Sequence, residues 1–151
     1  MFRILIADDN PSVRNALRQL FEGLPRPSKF IEATDGKEAV SKAVEFRPDV
    51  VILDLAMPEM DGLTAARHIL RSLPQTPVFL CTMFWSAQLD AEAKAVGVRS
   101  VVSKAESSTL IAAVEQLLNS KVAASPSPAA VESNNALTTP TDVSPRIRRS
   151  E

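Results

Sequence analysis

The stretch DVVILDLAMPEMDG, residues 49–62, decides how this chain folds. Its four consecutive apolar residues, Val50–Leu53, indicate a strand that is covered on both faces, as in the middle of a parallel sheet. Asp54 follows directly, and Asp61 and Gly62 then have the composition of a helix start. A buried strand that ends on an acid and leads through a short loop into a helix is typical of an α/β fold.

The same unit is repeated along the chain, where short apolar runs alternate with helical patterns. The predicted strands are Arg3–Ala7, Lys29–Ala33, Val50–Leu53, Val78–Thr82 and Ser100–Ser103. The first two predicted helices open at Asn10–Pro11 and Asp35–Gly36, and the third follows Asp61–Gly62. The fourth spans Ser86–Val96, and the last runs from about Ser107 to Leu118. Five strand–helix units in succession predict an α/β fold with a doubly wound, five-stranded parallel sheet and right-handed crossovers.

The first helix has the clearest helical pattern. Asn10 is a favourable cap, and Pro11 suits the first helical position. Apolar residues follow at the spacing of an amphipathic helix, namely Val13, Ala16, Leu17, Leu20 and Phe21. This helix is therefore expected to pack one apolar face against the rest of the domain.

The composition changes at about Ser120. Residues 121–151 are mostly Ala, Ser, Pro, Thr, Asn and Val, without helical or alternating periodicity. Such a segment cannot bury enough apolar area to offset its chain entropy. We therefore predict a folded domain over residues 1–120 and a disordered tail over residues 121–151.

Charge and cysteine content exclude several classes of protein. The formal net charge of -1 provides no field that would hold a polyanion nonspecifically. A single cysteine, Cys81, cannot form an intramolecular disulfide. No apolar run approaches the roughly 20 residues that a membrane-spanning helix needs. These features favour a cytoplasmic protein that does not enter a membrane.

Chemistry-bearing residues follow four of the predicted strands. These residues are Asp8, Asp9, Asp54, Thr82 and Lys104. Ligands of an open parallel sheet bind at the carboxyl ends of its strands, so all five are expected to meet at one edge. Clustered carboxylates oppose joint ionisation unless a cation balances them, and hard oxygen ligands suit Mg²⁺. Asp9 and Asp54 are the better candidates for direct ligands, and Asp8 would act directly or through water.

Asp54 is also the best candidate for a nucleophile, because an aspartate can form an acyl phosphate and this one follows a central apolar strand. The ammonium group of Lys104 would bind one oxygen of the transferred phosphoryl group, and the hydroxyl of Thr82 would bind another. These residues together predict a site that handles phosphoryl groups.

Four segments resemble the receiver domain of two-component response regulators. They are LIADDN (residues 5–10), DVVILDLAMPEMDG (49–62), CTM (81–83) and VVSKAE (101–106), within a resemblance that spans about residues 2–119. The resemblance implies a flavodoxin-like sheet with strand order 2-1-3-4-5. It also implies that Asp54 is the phosphoacceptor, and that Thr82 and Lys104 are the switch hydroxyl and the phosphate-binding lysine. Mg²⁺ would be held by Asp8, Asp9, Asp54 and the backbone carbonyl of Ala56.

The resemblance implies a switch that accepts its phosphoryl group from a histidine kinase or a phosphotransfer protein. Such a domain catalyses only its own aspartyl phosphorylation and dephosphorylation. Its output would be an unknown protein partner, or self-association through the face formed by the fourth helix, fifth strand and fifth helix, which Trp85, Ala87 and Val101 would border. The sequence of these segments resembles the branch of response regulators that usually carries a helix-turn-helix domain. Residues 121–151 lack that pattern, so we expect a stand-alone receiver without direct DNA binding.

The chain departs from the usual pattern at two positions. Many receivers have an aromatic residue three positions before the lysine, where this chain has Val101, and the chain contains no tyrosine. Phe84 or Trp85 would supply the mobile bulk instead, or both are simply packing or exposed loop residues. Many receivers also have proline after the lysine, where this chain has Ala105.

Two other functions fit part of the pattern. A receiver-like module that binds partners without phosphorylation would explain Val101, although the complete acidic set argues against it. A phosphatase of the haloacid dehalogenase type shares the aspartate nucleophile. That class usually has a second aspartate two positions later, where this chain has Ala56.

Overall fold

The computed structural model describes residues 1–26 and 28–124. Five strands and five α-helices alternate within this part of the chain. The strands are β1 (Phe2–Ala7), β2 (Ser28–Ala33), β3 (Val50–Asp54), β4 (Val78–Thr82) and β5 (Ser100–Ser103). The helices are α1 (Pro11–Glu22), α2 (Gly36–Phe46), α3 (Gly62–Ser72), α4 (Ala87–Val96) and α5 (Ser107–Ala124), with a 3-10 turn at Lys104–Glu106 before α5.

The end of the chain is described only in part. Residues Met1–Val114 form one compact unit, and a second unit begins at Glu115. Of the second unit, the structure describes the end of α5 up to Ala124, beyond the end predicted near Leu118. Residues 125–151, which make up most of the predicted tail, lie outside the described residues. The domain boundary at residue 120 stays a prediction.

The five strands form one parallel sheet in the order β2-β1-β3-β4-β5, which confirms the predicted fold. In the register of the sheet, Ala7 pairs with Leu53, Asp54 with Cys81, and Thr82 with Ser103. The carboxyl ends of β1, β3, β4 and β5 therefore lie at the same edge. The order of the strands places β1, which Asp8 follows, next to β3, which Asp54 ends.

The core covers both faces of the sheet. Successive residues of a strand point to opposite faces, and every residue of β3 and β4 is buried. One face packs small residues of α2, α3 and α4 onto the strands, including Ala39, Ala43, Ala65, Ala66 and Ala93. The other face includes the fully buried Ile4, Ile6, Ile52 and Phe79. The apolar run that predicted a central strand is thus buried on both sides.

The apolar face of α1 is less covered than its pattern predicts. Of its residues, only Phe21 is buried. Ala16 is exposed, and Leu20 is 45% exposed. Both side chains line an open cavity beside the helix. The spacing placed these residues on one face correctly, but it did not predict whether another element covers that face.

The start of α2 makes the stability depend on pH. The Glu38 carboxylate accepts hydrogen bonds from the backbone N–H and hydroxyl of Thr34, and it pairs with Lys42 at 2.9 Å. The Thr34 backbone bond first, and the Lys42 bond second, lower the pKa of Glu38 to about 2. A lowered carboxyl pKa stabilises the fold above the unfolded-state value of 4.5, and this contribution is lost as the pH falls from 4.5 towards 2.

We therefore expect Glu38→Gln to reduce the free energy of unfolding at pH 7 by about 1 kcal/mol, after allowance for the partial exposure of the carboxylate. The difference from the wild type should shrink as the pH falls through this window. Urea unfolding at several pH values measures both effects. The matched control is Glu45→Gln, at an exposed position of the same helix. An equal loss in both variants would contradict the role of the Thr34 bonds.

Candidate functional site

The predicted site residues lie at the carboxyl edge of the sheet. Asp8 follows β1, Asp54 ends β3, Thr82 ends β4, and Lys104 follows β5. Asp8, Asp54 and Thr82 are all at least nine-tenths buried. Polar groups this deep need hydrogen-bond partners or compensating charges. The partners of each side chain therefore indicate what the site can do.

Lys104 joins the two buried acids. Its Nζ atom donates a hydrogen bond to Oδ2 of Asp8 at 2.8 Å and pairs with Oδ1 of Asp54 at 3.0 Å. The exposed fractions of these side chains are 19% for Lys104, 3% for Asp8 and 6% for Asp54. One ammonium group thus compensates two carboxylates that are shielded from water.

The pKa values of Asp54 and Lys104 are both raised, for different reasons. Burial raises the pKa of Asp54, the hydrogen bond from Lys104 opposes this shift, and the charge of Asp8 adds to it. Burial alone would lower the pKa of Lys104, but its hydrogen bonds to Asp8 and Asp54 outweigh burial and raise it. Pairing normally lowers the pKa of an acid, but Asp54 is the deeper partner, so burial decides its direction. Lys104 therefore remains an ammonium group at neutral pH.

The three acids could hold a metal ion. Asp8, Asp9 and Asp54 each offer one carboxylate oxygen, and these oxygens lie within 4.8 Å of one another. Three carboxylates against one ammonium group leave two negative charges, which a divalent cation would neutralise. Hard oxygen donors suit Mg²⁺, which keeps several waters and needs few protein ligands. The exposed Asp9 leaves one side of the cluster open to those waters, so the donor set fits this ion.

Ala56 contacts Asp54 through its backbone. The backbone of Ala56 lowers the pKa of Asp54, against the larger effect of burial, so the loop after β3 lies close to the acid. This contact places Ala56 beside the predicted metal ligands. The role of the Ala56 carbonyl as a ligand stays a prediction.

The Thr82 hydroxyl bonds to the loop between β4 and α4. Its Oγ1 atom accepts a hydrogen bond from the backbone N–H of Phe84 at 3.1 Å and makes a longer contact, at 3.4 Å, with the Phe84 carbonyl. The sequence placed Thr82 at the correct edge of the sheet. It gave no indication that the hydroxyl would be bonded to the following loop.

Arg14 supports the site, although the sequence did not single it out. Its Nη1 atom donates to the backbone carbonyl of Asp8 at 2.7 Å, and its Nε atom pairs with Glu32 at 2.9 Å. The Asp8 carboxylate also accepts a hydrogen bond from the backbone N–H of Asn10. These contacts fix the turn between β1 and α1. An arginine on the polar face of a helix carries no signal of this role.

The loop between β3 and α3 fixes the backbone of Asp54. The Leu55 N–H donates to the Cys81 carbonyl at 2.9 Å, and the Gly62 N–H donates to the Leu55 carbonyl at 2.8 Å. A Cβ atom at Gly62 would overlap the backbone carbonyl of Asp54. Glu59, within the same loop, adopts a left-handed conformation with φ of 70°. The loop is therefore packed tightly against the end of β3.

The family is established by its sequence model. The model for the response regulator receiver domain matches residues 4–115 of this chain. The chain belongs to this family. The fold and the carboxyl-edge cluster of acids described above agree with that assignment.

Solved structures of receivers resemble this one. The response regulator domain of Thermotoga maritima CheB is 28% identical, with a TM-score of 0.70 over 79% of this chain and 97% of that chain. A LuxR-family response regulator from Aurantimonas is 32% identical, with a TM-score of 0.66 over 76% of this chain and 84% of that one. CheY is solved with CheX, BeF3 and magnesium from Borrelia burgdorferi, and that structure is 30% identical, with a TM-score of 0.65 over 68% of this chain and 78% of that one.

Curated relatives include proteins with different outputs. A protein-glutamate methylesterase/protein-glutamine glutaminase of Methanosarcina mazei is 35% identical over 81% of this chain and 34% of its own length. The transcriptional regulatory protein LiaR of Bacillus subtilis is 40% identical over 56% of this chain and 40% of its own. The chain thus spans about a fifth to two fifths of the curated relatives it matches. Across residues 1–26 and 28–124, no helix has the length and apolar character to cross a membrane.

Proposed function

We propose that Asp54 of this receiver accepts a phosphoryl group from a histidine kinase or a phosphotransfer protein. The observation that carries the proposal is the contact of one ammonium group, Lys104 Nζ, with both Asp8 and Asp54 beside a third acid, Asp9. Asp8, Asp9 and Asp54, with the carbonyl of Ala56, would hold Mg²⁺. The bound ion would supply positive charge to the oxygens of the transferred phosphoryl group.

The chain's own residues account for the rest of the reaction. A carboxylate oxygen of Asp54 forms a bond to phosphorus as the phosphorus–nitrogen bond of the donor phosphohistidine breaks. The electron pair of that bond stays on the imidazole nitrogen, which takes up a proton from solvent. The Lys104 ammonium, already 3.0 Å from the Asp54 carboxylate, donates to a phosphoryl oxygen. We assign no other chemistry to this protein than its own phosphorylation and dephosphorylation.

The output that we propose is a change of a protein-binding surface. That surface comprises α4, β5 and the first turns of α5, and it is bordered by Trp85, Ala87 and Val101. Its partner would be another protein or a second copy of the chain, in the cytoplasm. Phosphorylation would bias the surface between two arrangements, as a charge added at a switch does in general.

Incubation with a small phosphodonor and Mg²⁺ tests the assignment of Asp54. Intact-protein mass spectrometry should show one added phosphoryl group on the wild type and none on Asp54→Ala. Asp90→Ala serves as the control because Asp90 pairs with Lys94 on α4, away from the acidic cluster, and it should be modified like the wild type. A chelator should abolish the modification of the wild type and of Asp90→Ala. A wild type that stays unmodified would contradict the proposal and favour a module that binds its partners without phosphorylation.

A further inference from the structure

An open cavity, here called the α1 cavity, lies beside α1, between that helix, the sheet and the start of α5. Its volume is about 380 Å³, and on the side of the sheet it is lined by Ile52, Cys81 and Val102. A cavity of roughly 150 Å³ is enough to hold benzene, and sites that bind small molecules begin at about 300 Å³. The α1 cavity therefore has room for a small organic molecule.

The walls of the α1 cavity are mostly apolar. Ala16, Leu17 and Leu20 line it from α1, and Leu110 lines it from α5. Ala16 is exposed and Leu20 is 45% exposed, so apolar side chains of an amphipathic helix contact water here. Burial raises the pKa of the Cys81 thiol to about 12, so this group is uncharged at neutral pH. Displacement of water from such walls favours a ligand with an apolar body.

One end of the α1 cavity carries a net negative charge. Among the described residues that line it, the charged ones are Asp8, Asp54 and Lys104. The Nζ atom of Lys104 is shared between the two acids, at 2.8 and 3.0 Å, and a carboxylate oxygen of Asp9 lies within 4.8 Å of theirs. Three carboxylates thus face one ammonium group. The attraction of a further cation is strengthened by the apolar walls, which lower the local dielectric constant.

The combination of apolar walls and acidic end selects one class of ligand. An anion would meet the carboxylates of Asp8 and Asp54 and would have to draw Lys104 away from both. A neutral apolar molecule would cover the walls but would leave the excess negative charge without compensation. A molecule with an apolar body and one ammonium group matches both parts, because hydrogen bonds between ionised groups are the strong ones.

We propose that the α1 cavity binds a small organic cation. The ammonium group of the ligand lies against the carboxylates of Asp8 and Asp54, and its apolar chain lies along Leu17 and Leu20. This binding does not require phosphorylation. Under the proposed function, Mg²⁺ would supply positive charge to the same carboxylates, so the organic cation and the metal ion would exclude each other.

Three six-carbon compounds test the ligand class, because they differ only in the head group. Hexylammonium, hexanol and hexanoate are titrated calorimetrically into the full chain without divalent cations. Hexylammonium should bind about ten-fold more tightly than hexanol, which lacks the charged contact, and hexanoate should not bind measurably. No binding of hexylammonium, or equally tight binding of hexanol or hexanoate, would overturn the proposal.

Asp54→Asn tests where the ammonium group lies. Removal of one carboxylate charge should weaken hexylammonium binding roughly three-fold or more and leave hexanol binding unchanged. The matched control is Asp90→Asn, because Asp90 pairs with Lys94 on α4 and does not line the cavity. The affinity of this control for hexylammonium should equal that of the wild type. An equal effect of both variants would overturn the position of the ammonium group.

Two pairs of variants test the apolar walls. Ala16→Phe places a ring in the cavity and should weaken hexylammonium binding roughly ten-fold, whereas Ala95→Phe, at an exposed position of α4 outside the cavity, should bind as the wild type does. Leu20→Gln should weaken binding about three-fold. Its control is Val44→Gln on α2, since Val44 is 44% exposed and Leu20 is 45% exposed. Urea unfolding verifies that each variant folds, and folded Ala16→Phe and Leu20→Gln with unchanged affinity would overturn the site.

The effect on phosphorylation rests on the proposed function and is measured separately. With a small phosphodonor and Mg²⁺, hexylammonium should slow the uptake of the phosphoryl group, and a higher Mg²⁺ concentration should restore the rate. An unchanged rate at saturating hexylammonium would overturn the competition with the metal. A wild type that takes up no phosphoryl group would overturn the proposed function, while the calorimetric titrations would still decide whether the α1 cavity binds the cation.

Discussion

Replacement of Lys104 by methionine is expected to cost about 3–5 kcal/mol of unfolding free energy when no divalent cation is present. The variant keeps the length of the side chain but removes the ammonium group that contacts Asp8 at 2.8 Å and Asp54 at 3.0 Å. Both carboxylates are buried, and an uncompensated buried charge is far more costly than an exposed one. Urea unfolding in the presence of a chelator measures the loss.

Added Mg²⁺ should reduce the difference in unfolding free energy between Lys104→Met and the wild type. A cation at the acidic cluster would compensate the same carboxylates, so binding should stabilise the variant more than the wild type. Lys94→Met is the matched control, because Lys94 pairs with Asp90 at 3.1 Å on the surface of α4. The loss of unfolding free energy in Lys94→Met should stay near 0.5 kcal/mol. A loss in Lys104→Met as small as that of the control would contradict the compensating role of the ammonium group.

Substitution of Gly62 by alanine is expected to cost about 3 kcal/mol and to impair the uptake of the phosphoryl group. The added Cβ would overlap the backbone carbonyl of Asp54 and would come within 2.9 Å of the Leu80 side chain. The Gly62 N–H is also bonded to Leu55, so the helix start cannot shift alone. The end of β3 must then move, and a displacement of the reacting group by about 1 Å can reduce a rate on the order of 100-fold.

Gly23→Ala provides the comparison for this substitution. Gly23 ends α1 with φ of -78°, and an added Cβ there would meet only the Leu20 carbonyl, at 3.4 Å. This variant should match the wild type in stability or exceed it by up to about 1 kcal/mol, since alanine restricts the unfolded chain. Urea unfolding and the phosphoryl mass should be measured on both variants. Equal behaviour of Gly62→Ala and Gly23→Ala would show that the packing against Asp54 does not matter.

The sheet could be predicted because its signals are local. The run Val50–Leu53 is apolar throughout, and a strand buried on both faces requires such a run. Parallel strands then place Asp8, Asp54 and Lys104 at one edge by topology alone. Their approach could be predicted without knowledge of any side-chain conformation.

Other features depend on packing between distant elements. The pattern of α1 does not reveal that Leu20 remains 45% exposed, because coverage depends on neighbouring elements rather than on spacing. The choice of the Thr82 hydroxyl between the Asp54 side and the Phe84 backbone depends on the path of the following loop. Arg14 supports Asp8 through a backbone carbonyl, which is an acceptor that every residue carries. The amino-acid types at these positions therefore do not reveal the contacts.

The matched relatives differ in the activity that their names describe. They include methylesterases and a transcriptional regulator, each longer than the region shared with this chain. Similar receivers are thus associated with unrelated outputs. If the output acts through the proposed α4 and β5 surface, Trp85 and Val101 are positions at which a search for the partner should begin.

The bridge made by Lys104 also bears on the order of events in the life of the molecule. Because the ammonium group already balances part of the acidic charge, a newly synthesised chain can complete its fold before it encounters any metal. Binding of the proposed cation would then add positive charge to a site that is already folded, rather than nucleate folding as metal capture does in small zinc domains. Under the proposed function, fluctuations in the magnesium supply of a cell would alter how readily this protein is phosphorylated, while its abundance would stay the same.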